Sequence, residues 1–331
     1  MTTIGIKDVA LRAGVSIATV SNVLNRPEKV SPPTRTRVEE AITLLGYVPN
    51  AAARQLSGTR GTTVGLVLFD VRNPFLTDIA RGAEDFLHAA GLTVTLCNTD
   101  VLPDKEERYL NLLAQNNAVG VLVTPADLSR EWVDQLRARG LRVVLLDSSD
   151  NYPDVCSVAV DDVAGADSAV THLLARGHER IAFVTGPLHM RQSQDRLAGS
   201  RQALARADRP ADTLQVVETA AFTVDNGRRA GEQLLAAGKQ VSAVFCANDL
   251  LALGVMQTAF RAKLGVPDEL AVVGYDDIHS AATSGIPLTS VHVGGYELGS
   301  SAARLLLDED RPDHEHRRLV FPPSLIERNS S

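Results

Sequence analysis

Side chains able to bind a polar ligand recur along this chain where buried strands end. Several of the apolar runs that predict strands are followed by a carboxylate, an amide, an arginine or an aromatic ring. In chain order these are residues 70–75, Asp147, Asp161, Arg191, Arg196, Phe222, Asn248, Asp249, Asp276 and Asp277. Carboxylates and amides exchange hydrogen bonds with vicinal hydroxyls, a guanidinium forms a fork, and a ring covers an apolar sugar face. The pattern favours a site for a polyhydroxylated small molecule.

A second group of residues, near the amino terminus, has the chemistry to read DNA. Ile17, Ala18 and Asn22 form the outer face of a predicted helix over residues 17–25, and Ser16 is placed to cap that helix. The face is small and polar, which suits a DNA major groove. An ordinary helical hairpin is the alternative, but its exposed face would carry a mixture of Glu and Lys. We therefore expect a DNA-binding helix.

Helical periodicity predicts a three-helix head around that helix. Gly14 marks the turn before it, Ser31 and Pro32 start a third helix, and Gly46 ends the third helix. The expected buried positions are Ile6, Val9, Ala10, Leu11, Val20, Val23, Leu24, Val38, Ala41, Ile42 and Leu45. A helix of about two turns is expected at residues 50–57, which is too short to be stable alone.

The charge distribution fits contact with DNA through one end of the chain. Residues 1–60 hold eight basic and four acidic residues, a net charge of +4. The whole chain carries −7, so residues 61–331 carry −11. A basic head on an acidic body favours contact with phosphates at the head alone.

The remaining 271 residues predict a two-lobed α/β domain. Buried-strand runs alternate with helical patterns, which predicts doubly wound parallel sheets covered on both faces. The pattern divides into two similar halves near Asp161. Ligands of such sheets bind beyond the carboxyl ends of the strands, where the polar residues above are found.

The amino-terminal motifs resemble the start of the LacI/GalR family of bacterial transcriptional regulators. The resemblance is carried by residues 7–10, 14–16, 19–21, 23–25, 30–31 and 46–50, and it continues along essentially the whole chain. It implies a dimeric repressor of pseudo-palindromic operator DNA, with domains at 1–46 (helix-turn-helix), 47–61 (hinge) and 62–331 (effector binding and dimerisation). The implied DNA-binding residues are Ser16, Ile17, Ala18, Thr19, Ser21, Asn22, Asn25, Lys29, Ser31, Thr34, Tyr47, Asn50, Ala53 and Leu56. Leu56 would wedge into the minor groove and bend the operator.

For the body, the resemblance implies a periplasmic-binding-protein-like fold with an effector cleft between its lobes. Lobe one is expected at 62–161 and 292–319, and lobe two at 162–290 and 320–329, with crossings near Asp161, residues 290–293 and Val320. The implied effector contacts are Phe75, Asp147, Arg196, Phe222, Asn248 and Asp276. Many sugar-responsive members carry Gln or Asp in the last crossover, where this chain has Val293. That departure leaves open a less polar, deoxygenated or non-sugar effector beside the expected sugar.

Other functions are not expected from the sequence. Cys97, Cys156 and Cys246 lack paired spacing and read as buried thiols, and the motif 314–316 lacks a third nearby metal ligand, so no metal and no cofactor are expected. Asp276 and Asp277 are adjacent, a poor arrangement for an acid/base pair, so no enzyme is expected.

Partners and location complete the sequence-based expectations. The chain lacks a signal peptide and any apolar run of membrane length, which predicts a cytoplasmic protein and disfavours a secreted sugar receptor. It ends at Ser331 without leucine heptads, which predicts a homodimer. A regulator that responds to a nucleobase as corepressor stays as the alternative.

Overall fold

The computed structural model describes residues 4–47, 61–125, 130–146, 152–238 and 241–331. These fall into two units, Met1–Thr62 and Thr63–Ser331. Asn50, Ala53 and Leu56 of the expected hinge lie outside the described residues, as does Asp147 of the expected cleft. Among the described residues, no helix combines the length and the apolar character needed to cross a bilayer.

The head is built from three helices around a small apolar core. They are α1 (Ile6–Ala13), α2 (Ile17–Asn25) and α3 (Pro32–Leu45), with a 3-10 turn at Pro27–Lys29 before α3. Gly14 and Gly46 end α1 and α3 in the left-handed region, with φ of 65° and 61°. The core contains Val9, Ala10, Ala13, Val20, Val23, Val38, Ala41 and Tyr47.

One expected core residue of the head is wrong. Leu11 is 85% exposed, because α1 packs through Val9, Ala10 and Ala13, and Leu11 falls on the opposite side of this short helix. The apolar stripe of α1 is therefore narrower than the sequence pattern indicated.

The body consists of two lobes, each with a six-stranded sheet. The sheet of lobe one has the order β11-β5-β4-β3-β1-β2, and that of lobe two has β12-β10-β9-β8-β6-β7. Every pair is parallel except β10 with β12, which is antiparallel. The strands are β1 (Thr63–Leu68), β2 (Thr93–Asn98), β3 (Gly120–Val123), β4 (Arg142–Leu145), β5 (Cys156–Val160), β6 (Ile181–Thr185), β7 (Leu214–Glu218), β8 (Ala243–Cys246), β9 (Ala271–Asp276), β10 (Thr289–His292), β11 (Arg318–Phe321) and β12 (Ser324–Ile326).

Helices alternate with these strands and cover the sheets. They are α4 (Pro74–Ala89), α5 (Pro103–Gln115), α6 (Arg130–Ala138), α7 (Asp162–Ala175), α8 (Arg191–Arg206), α9 (Val224–Ala236), α10 (Asp249–Arg261), α11 (His279–Thr283) and α12 (Gly295–Asp308). The strands that they cover are almost fully apolar and buried, as in β3, β6 and β8. This burial on both faces is what the strand–helix alternation of the sequence predicts.

Two of the expected lobe boundaries need correction. His292 pairs with Asp276 in β9, so β10 keeps residue 292 in lobe two. Val320 and Phe321 pair with Ala159 and Val160, which places both in lobe one, and the third crossing follows Phe321. Strand pairing extends beyond the positions where the sequence pattern changed, and it moves each boundary by one or two residues.

Glycines bring helices of the body into close contact. A Cβ on Gly299 of α12 would meet the carbonyl of Ile79 in α4, and one on Gly254 of α10 would meet the carbonyl of Val224 in α9. In each case the obstacle is backbone, which cannot rotate away as a side chain would. These glycines let neighbouring helices pack at backbone distance.

Gly254→Ala tests this packing. Alanine normally stabilises a helix relative to glycine by about 1 kcal/mol. Here we expect a net loss of about 1–3 kcal/mol in the free energy of unfolding, because the added methyl group overpacks the α9–α10 contact. Denaturant unfolding followed by circular dichroism measures the change. Gly285→Ala, at a glycine with open space around it, is the control, and equal effects of both substitutions would contradict the packing argument.

Candidate functional site

The exposed face of α2 is held in place by its cap and its buried side. Ser16 Oγ accepts a hydrogen bond from the backbone N–H of Thr19 at 3.1 Å, which satisfies a free donor at the start of the helix. Val20 and Val23 are buried, whereas Ile17 is 44% exposed and Ala18 and Asn22 are also exposed. The helix therefore offers small apolar and amide side chains to a partner.

The other expected DNA-binding residues of the head differ in how much of them is available. Ser16, Lys29 and Ser31 are exposed, and Thr19, Ser21, Asn25 and Thr34 are half-buried. Asn25 Nδ2 donates to the carbonyl of Ser21 at 3.0 Å, so this amide supports the end of α2. Tyr47 is 9% exposed and packs in the head core, which leaves little of its side chain for DNA.

The cleft between the lobes lies at the carboxyl ends of strands from both sheets. It contains a cavity of about 70 Å³. Its lining combines apolar residues with a few polar groups, which is usual for small-molecule sites. The polar lining residues are Asn73, Thr124, Asp162, Gln192, Arg196, Asn248 and Asp276.

Arg196, on α8, is the centre of this polar group. It is 7% exposed, and its Nε donates to Asp162 Oδ1 at 2.9 Å, while Nη1 donates to the carbonyl of Ala247. The guanidinium carbon lies 3.7 Å from the centre of the Tyr275 ring. Burial lowers the pKa of Arg196, but Asp162, Tyr275 and Asp276 together raise it above its ordinary value, so the side chain stays charged.

Asp276, the last residue of β9, faces Arg196 across a short gap. Its Oδ1 lies 3.8 Å from Arg196 Nη2, and its Oδ2 accepts a hydrogen bond from Asn73 Nδ2 at 3.2 Å. Burial raises the pKa of Asp276 to about 7, against the opposing effects of Arg196 and Asn73. Its φ of 96° is in the left-handed region, a strained conformation for a residue with a side chain.

The hydrogen bond between Asn73 and Asp276 joins the two lobes. Asn73 precedes α4 in lobe one, where its Oδ1 accepts from the backbone N–H of Phe75 and caps the helix. Its Nδ2 reaches Asp276 in lobe two. One amide thus serves the helix start and the inter-lobe contact together.

Asn248 and Asp249 have mainly structural partners. Asn248 Oδ1 accepts from the backbone N–H of Leu251 and caps α10, and its Nδ2 is 3.4 Å from the carbonyl of Phe222. Asp249 accepts from Ser290 Oγ at 2.6 Å and from the backbone N–H of Ile278 at 2.8 Å. Asp249 therefore fixes the loop that follows Asp276.

Two aromatic rings line the same cavity. Phe75 stands in the first turn of α4 and is half-buried, and Phe222 is buried against the backbone of Gly186. A Cβ on Gly186 would clash with the Phe222 ring, so the ring can occupy this position only because residue 186 has no side chain. Val293, the departure from the family pattern, is buried and is not among the described residues that line this cavity.

The sequence reasoning missed three residues of this group. Asn73 belongs to the segment 70–75 that follows β1, and nothing in the sequence distinguishes its amide from the other polar groups of that segment. Asp162 follows Asp161, whose side chain caps α7, whereas Asp162 pairs with Arg196. From the sequence, Tyr275 is an ordinary strand residue. Only the fold shows that the Arg196 guanidinium lies over its ring.

A larger groove of about 460 Å³ lies on lobe two, away from these groups. Its lining combines aliphatic residues, such as Leu234 and Val255, with Glu179, Arg180 and Glu269. Size alone would select it, but the converging polar groups are in the inter-lobe cleft. The smaller cavity is therefore the better candidate for a small-molecule site.

Comparisons with known proteins agree with the architecture. A family described as bacterial regulatory proteins, lacI family, matches residues 5–50, and one described as periplasmic binding protein-like domain matches residues 170–331. The chain is 36% identical to the ribose operon repressor of Escherichia coli K12 over 330 residues, covering 98% of this chain and 99% of that protein. It is 33% identical to the HTH-type transcriptional repressor PurR of Vibrio cholerae serotype O1 strain M66-2 over 328 residues, covering 98% and 97%.

Solved structures give the same picture. The lac repressor dimer bound to operator and the anti-inducer ONPF matches with a TM-score of 0.84 and 28% identity, over 99% of each chain. A LacI family regulator from Enterococcus faecium with bound ribose matches with a TM-score of 0.75 and 28% identity, over 81% of this chain and 98% of that one.

Asn22→Arg tests the DNA-reading face. Asn pairs bidentately with adenine and Arg with guanine, each pair worth about 1–3 kcal/mol of base discrimination. We expect the variant to select sites with guanine in place of adenine at one position of each half-site, as measured by selection from a random DNA pool. The control is Thr43→Arg, which adds the same charge at an exposed position of α3. An unchanged preference in Asn22→Arg would place this side chain away from the bases.

Asp276→Asn tests the raised pKa of the cleft carboxyl. The ordinary value of 3.8 becomes about 7 in the folded chain, so the folded state binds more protons between these values. This group therefore favours folding below about pH 4, and that contribution is lost as the pH rises to about 7. We expect the unfolding free energy of the unmodified protein to fall by roughly 1–3 kcal/mol more than that of Asp276→Asn between about pH 5 and about pH 7.5.

The measurement is denaturant unfolding at both pH values. Asp225→Asn, which removes a carboxylate that is 82% exposed, is the control and should keep the pH dependence of the unmodified chain. Identical pH dependence in Asp276→Asn and the unmodified chain would show that this carboxyl does not titrate in the expected range.

Proposed function

Because the chain belongs to the LacI family of bacterial regulatory proteins, we propose that it is a repressor whose affinity for operator DNA is controlled by a monosaccharide bound between its lobes. Family membership makes it a sequence-specific DNA-binding transcriptional regulator. The observation that supports the sugar is the buried arrangement of Arg196, Asp276 and Asn73 in the cleft.

The chemistry of that arrangement suits a vicinal diol. A sugar hydroxyl both donates and accepts, so neighbouring hydroxyls need an acceptor beside a donor. Asp276 is such an acceptor and Arg196 Nη2 such a donor, and the 3.8 Å between them is too long for a mutual hydrogen bond. Hydroxyl oxygens can therefore satisfy both groups without displacing the other partners of Arg196.

The rest of the cavity suits a sugar ring. Phe75 and Phe222 offer apolar surfaces to the carbon–hydrogen faces of a sugar. Apolar rings beside a few converging polar groups suit the two kinds of surface that a sugar ring presents. The relative named ribose operon repressor and the ribose-bound neighbour support a pentose such as ribose as the first candidate.

A nucleobase acting as corepressor is the second candidate. The two aromatic rings favour it, because a flat heterocycle stacks on aromatic side chains as readily as a sugar does. The paired donor and acceptor of Arg196 and Asp276 could also meet a base edge. We favour the sugar because one structural neighbour holds bound ribose and one relative is named ribose operon repressor.

On the DNA side, we propose a homodimer that binds an inverted repeat. Two copies of α2 would enter successive major grooves, about one helical turn apart. The positive head would contact phosphates, which makes affinity fall steeply with salt. The segment 50–57 would become helical on the operator, with Leu56 as the minor-groove wedge, and effector binding would change the separation of the two segments.

We also propose that the protein performs no catalysis and acts in the cytoplasm. The relatives are named as transcriptional repressors. In the described part of the cleft, Asp162 is paired with Arg196, so its carboxylate is not free to act as a base beside Asp276. A bacterial regulator that binds a chromosomal operator must be in the same compartment as the chromosome, which is the cytoplasm.

Arg196→Ala tests the cleft and the regulatory role together. We expect D-ribose affinity, measured by isothermal titration calorimetry on the full chain, to fall by at least about 10–100-fold, because a charged hydrogen-bond donor of the site is lost. Without sugar, operator affinity should stay within about threefold of the unmodified protein. Saturating sugar should change operator affinity in the unmodified protein and have no effect in the variant.

The matched control is Arg206→Ala, an exposed arginine on the same helix that pairs with Asp167. It should keep both activities. Adenine and hypoxanthine are titrated in parallel: a response to either base and not to ribose would support the second candidate. Retention of full effector affinity in Arg196→Ala would contradict the assignment of the cleft.

A further inference from the structure

Four side chains with metal-binding atoms meet at the edge of lobe one, far from the cleft. Cys156 is the first residue of β5, Glu309 directly follows α12, and His314 and His316 lie in the loop that leads to β11. One ligand atom from each lies within 4.8 Å of the others. The residues stand at the amino ends of β5 and β11, opposite the strand ends that form the effector cleft.

The distances in this cluster match those between ligands of one metal ion. Cys156 Sγ is 3.3 Å from His314 Nε2 and 3.7 Å from His316 Nδ1, and the two imidazole nitrogens are 3.3 Å apart. Glu309 Oε1 is 4.0 Å from His316 Nδ1. A tetrahedral zinc ion with ordinary bond lengths separates nitrogen ligands by about 3.3 Å and sulfur from nitrogen by about 3.5 Å. The sulfur and the two imidazole nitrogens therefore need adjustments of only a few tenths of an ångström, whereas Glu309 Oε1 must move about 0.7 Å closer to His316 to take the fourth position.

The surroundings also fit a metal thiolate. Cys156 is fully buried, and its Sγ accepts a hydrogen bond from the backbone N–H of Arg317 at 3.5 Å. A thiolate and a carboxylate together supply two negative charges, which balance a divalent cation. Arg137 Nη2 lies 3.3 Å from His316 Nε2, but this arginine also pairs with Asp154 at 3.0 Å, so it can leave the ring when the metal fixes the imidazole as a donor.

We propose that Cys156, Glu309, His314 and His316 form a structural site for Zn²⁺ or a similar borderline-soft divalent ion. All four positions of a tetrahedron are filled by protein atoms, which is typical of structural rather than catalytic zinc sites. The ion would fasten the loop between α12 and β11 to the start of β5, and so hold β11 on the edge of the sheet.

The proposed site differs from the sequence-based expectation of no metal near His314 and His316. That expectation rests on ligands close in sequence, whereas Cys156 is 158 residues from His314. The competing explanation is a metal-free cluster in which the thiol and the two imidazoles share hydrogen bonds. The two explanations differ in metal content and in the role of Glu309.

The first experiment measures zinc in the full-length protein. The protein is stripped with a chelator, mixed with excess ZnCl₂, passed through a desalting column and analysed by mass spectrometry for metal per chain. We expect one zinc per chain, with thermal unfolding of the body at higher temperature than in the stripped protein, because a ligand of the folded state stabilises it. Absence of retained zinc would overturn the proposal.

Cobalt then reports the ligands directly. Co²⁺ in place of zinc should give a thiolate-to-cobalt charge-transfer band and the intense visible bands of a tetrahedral site. Cys156→Ser should abolish the charge-transfer band, and His314→Ala and Glu309→Gln should each weaken zinc binding by more than about 100-fold, since loss of a residue that only orients a ligand already costs about 10–100-fold. Should Cys156→Ser fail to fold, the two other variants carry the test.

Matched controls are Cys97→Ser, which removes another buried thiol, and His88→Ala, which removes an exposed histidine of α4. Both should bind zinc as the unmodified chain does. Zinc binding that survives His314→Ala and Glu309→Gln unchanged, or that is lost equally in the controls, would place the ion elsewhere and overturn the site. The result does not depend on operator or effector binding.

Discussion

The buried contact between Arg196 and Asp276 is the interaction on which the rest of the cleft depends. Removing two charges from water costs several kcal/mol per ion unless other partners satisfy them. Here Asp162, the Ala247 carbonyl and the Tyr275 ring satisfy the guanidinium, and Asn73 serves the carboxylate. Arg196 Nη2 and Asp276 Oδ1 are 3.8 Å apart, so each keeps a hydrogen-bonding position that a ligand can fill.

The same interaction links the cleft to the positions of the lobes. Arg196 and Asp276 belong to lobe two, whereas Asn73 belongs to lobe one and is fixed there because it caps α4. An effector that binds Asp276 therefore acts on a residue that also joins the two lobes. Such a contact is the kind of two-state element through which binding at one site biases another. The zinc site proposed for lobe one would act differently, by stiffening one lobe without crossing between them.

Much of this architecture follows from local sequence patterns. Strand–helix alternation predicts both parallel sheets, Arg196 is among the polar residues that follow β6, and Asp276 ends β9. Local patterns indicate only one role for each residue. They indicate a helix cap at Asn73 and a core residue at Tyr275, but not the contacts of these residues with Asp276 and Arg196. Leu11 was misjudged because a helix of eight residues does not need a broad apolar stripe. Cys156 and His314 are neighbours only through the pairing of β5 with β11, which no local pattern reveals.

We infer that effector binding and operator binding are coupled through the Asn73–Asp276 contact. Asn73→Ser isolates this contact, because serine caps a helix as well as asparagine but cannot extend an amide to Asp276. The quantity to measure is the ratio of operator dissociation constants with and without saturating ribose. We expect this ratio to move towards one in the variant, while operator affinity without sugar stays within about threefold of the unmodified protein. A ratio equal to that of the unmodified protein would show that the Asn73–Asp276 contact does not couple the two sites.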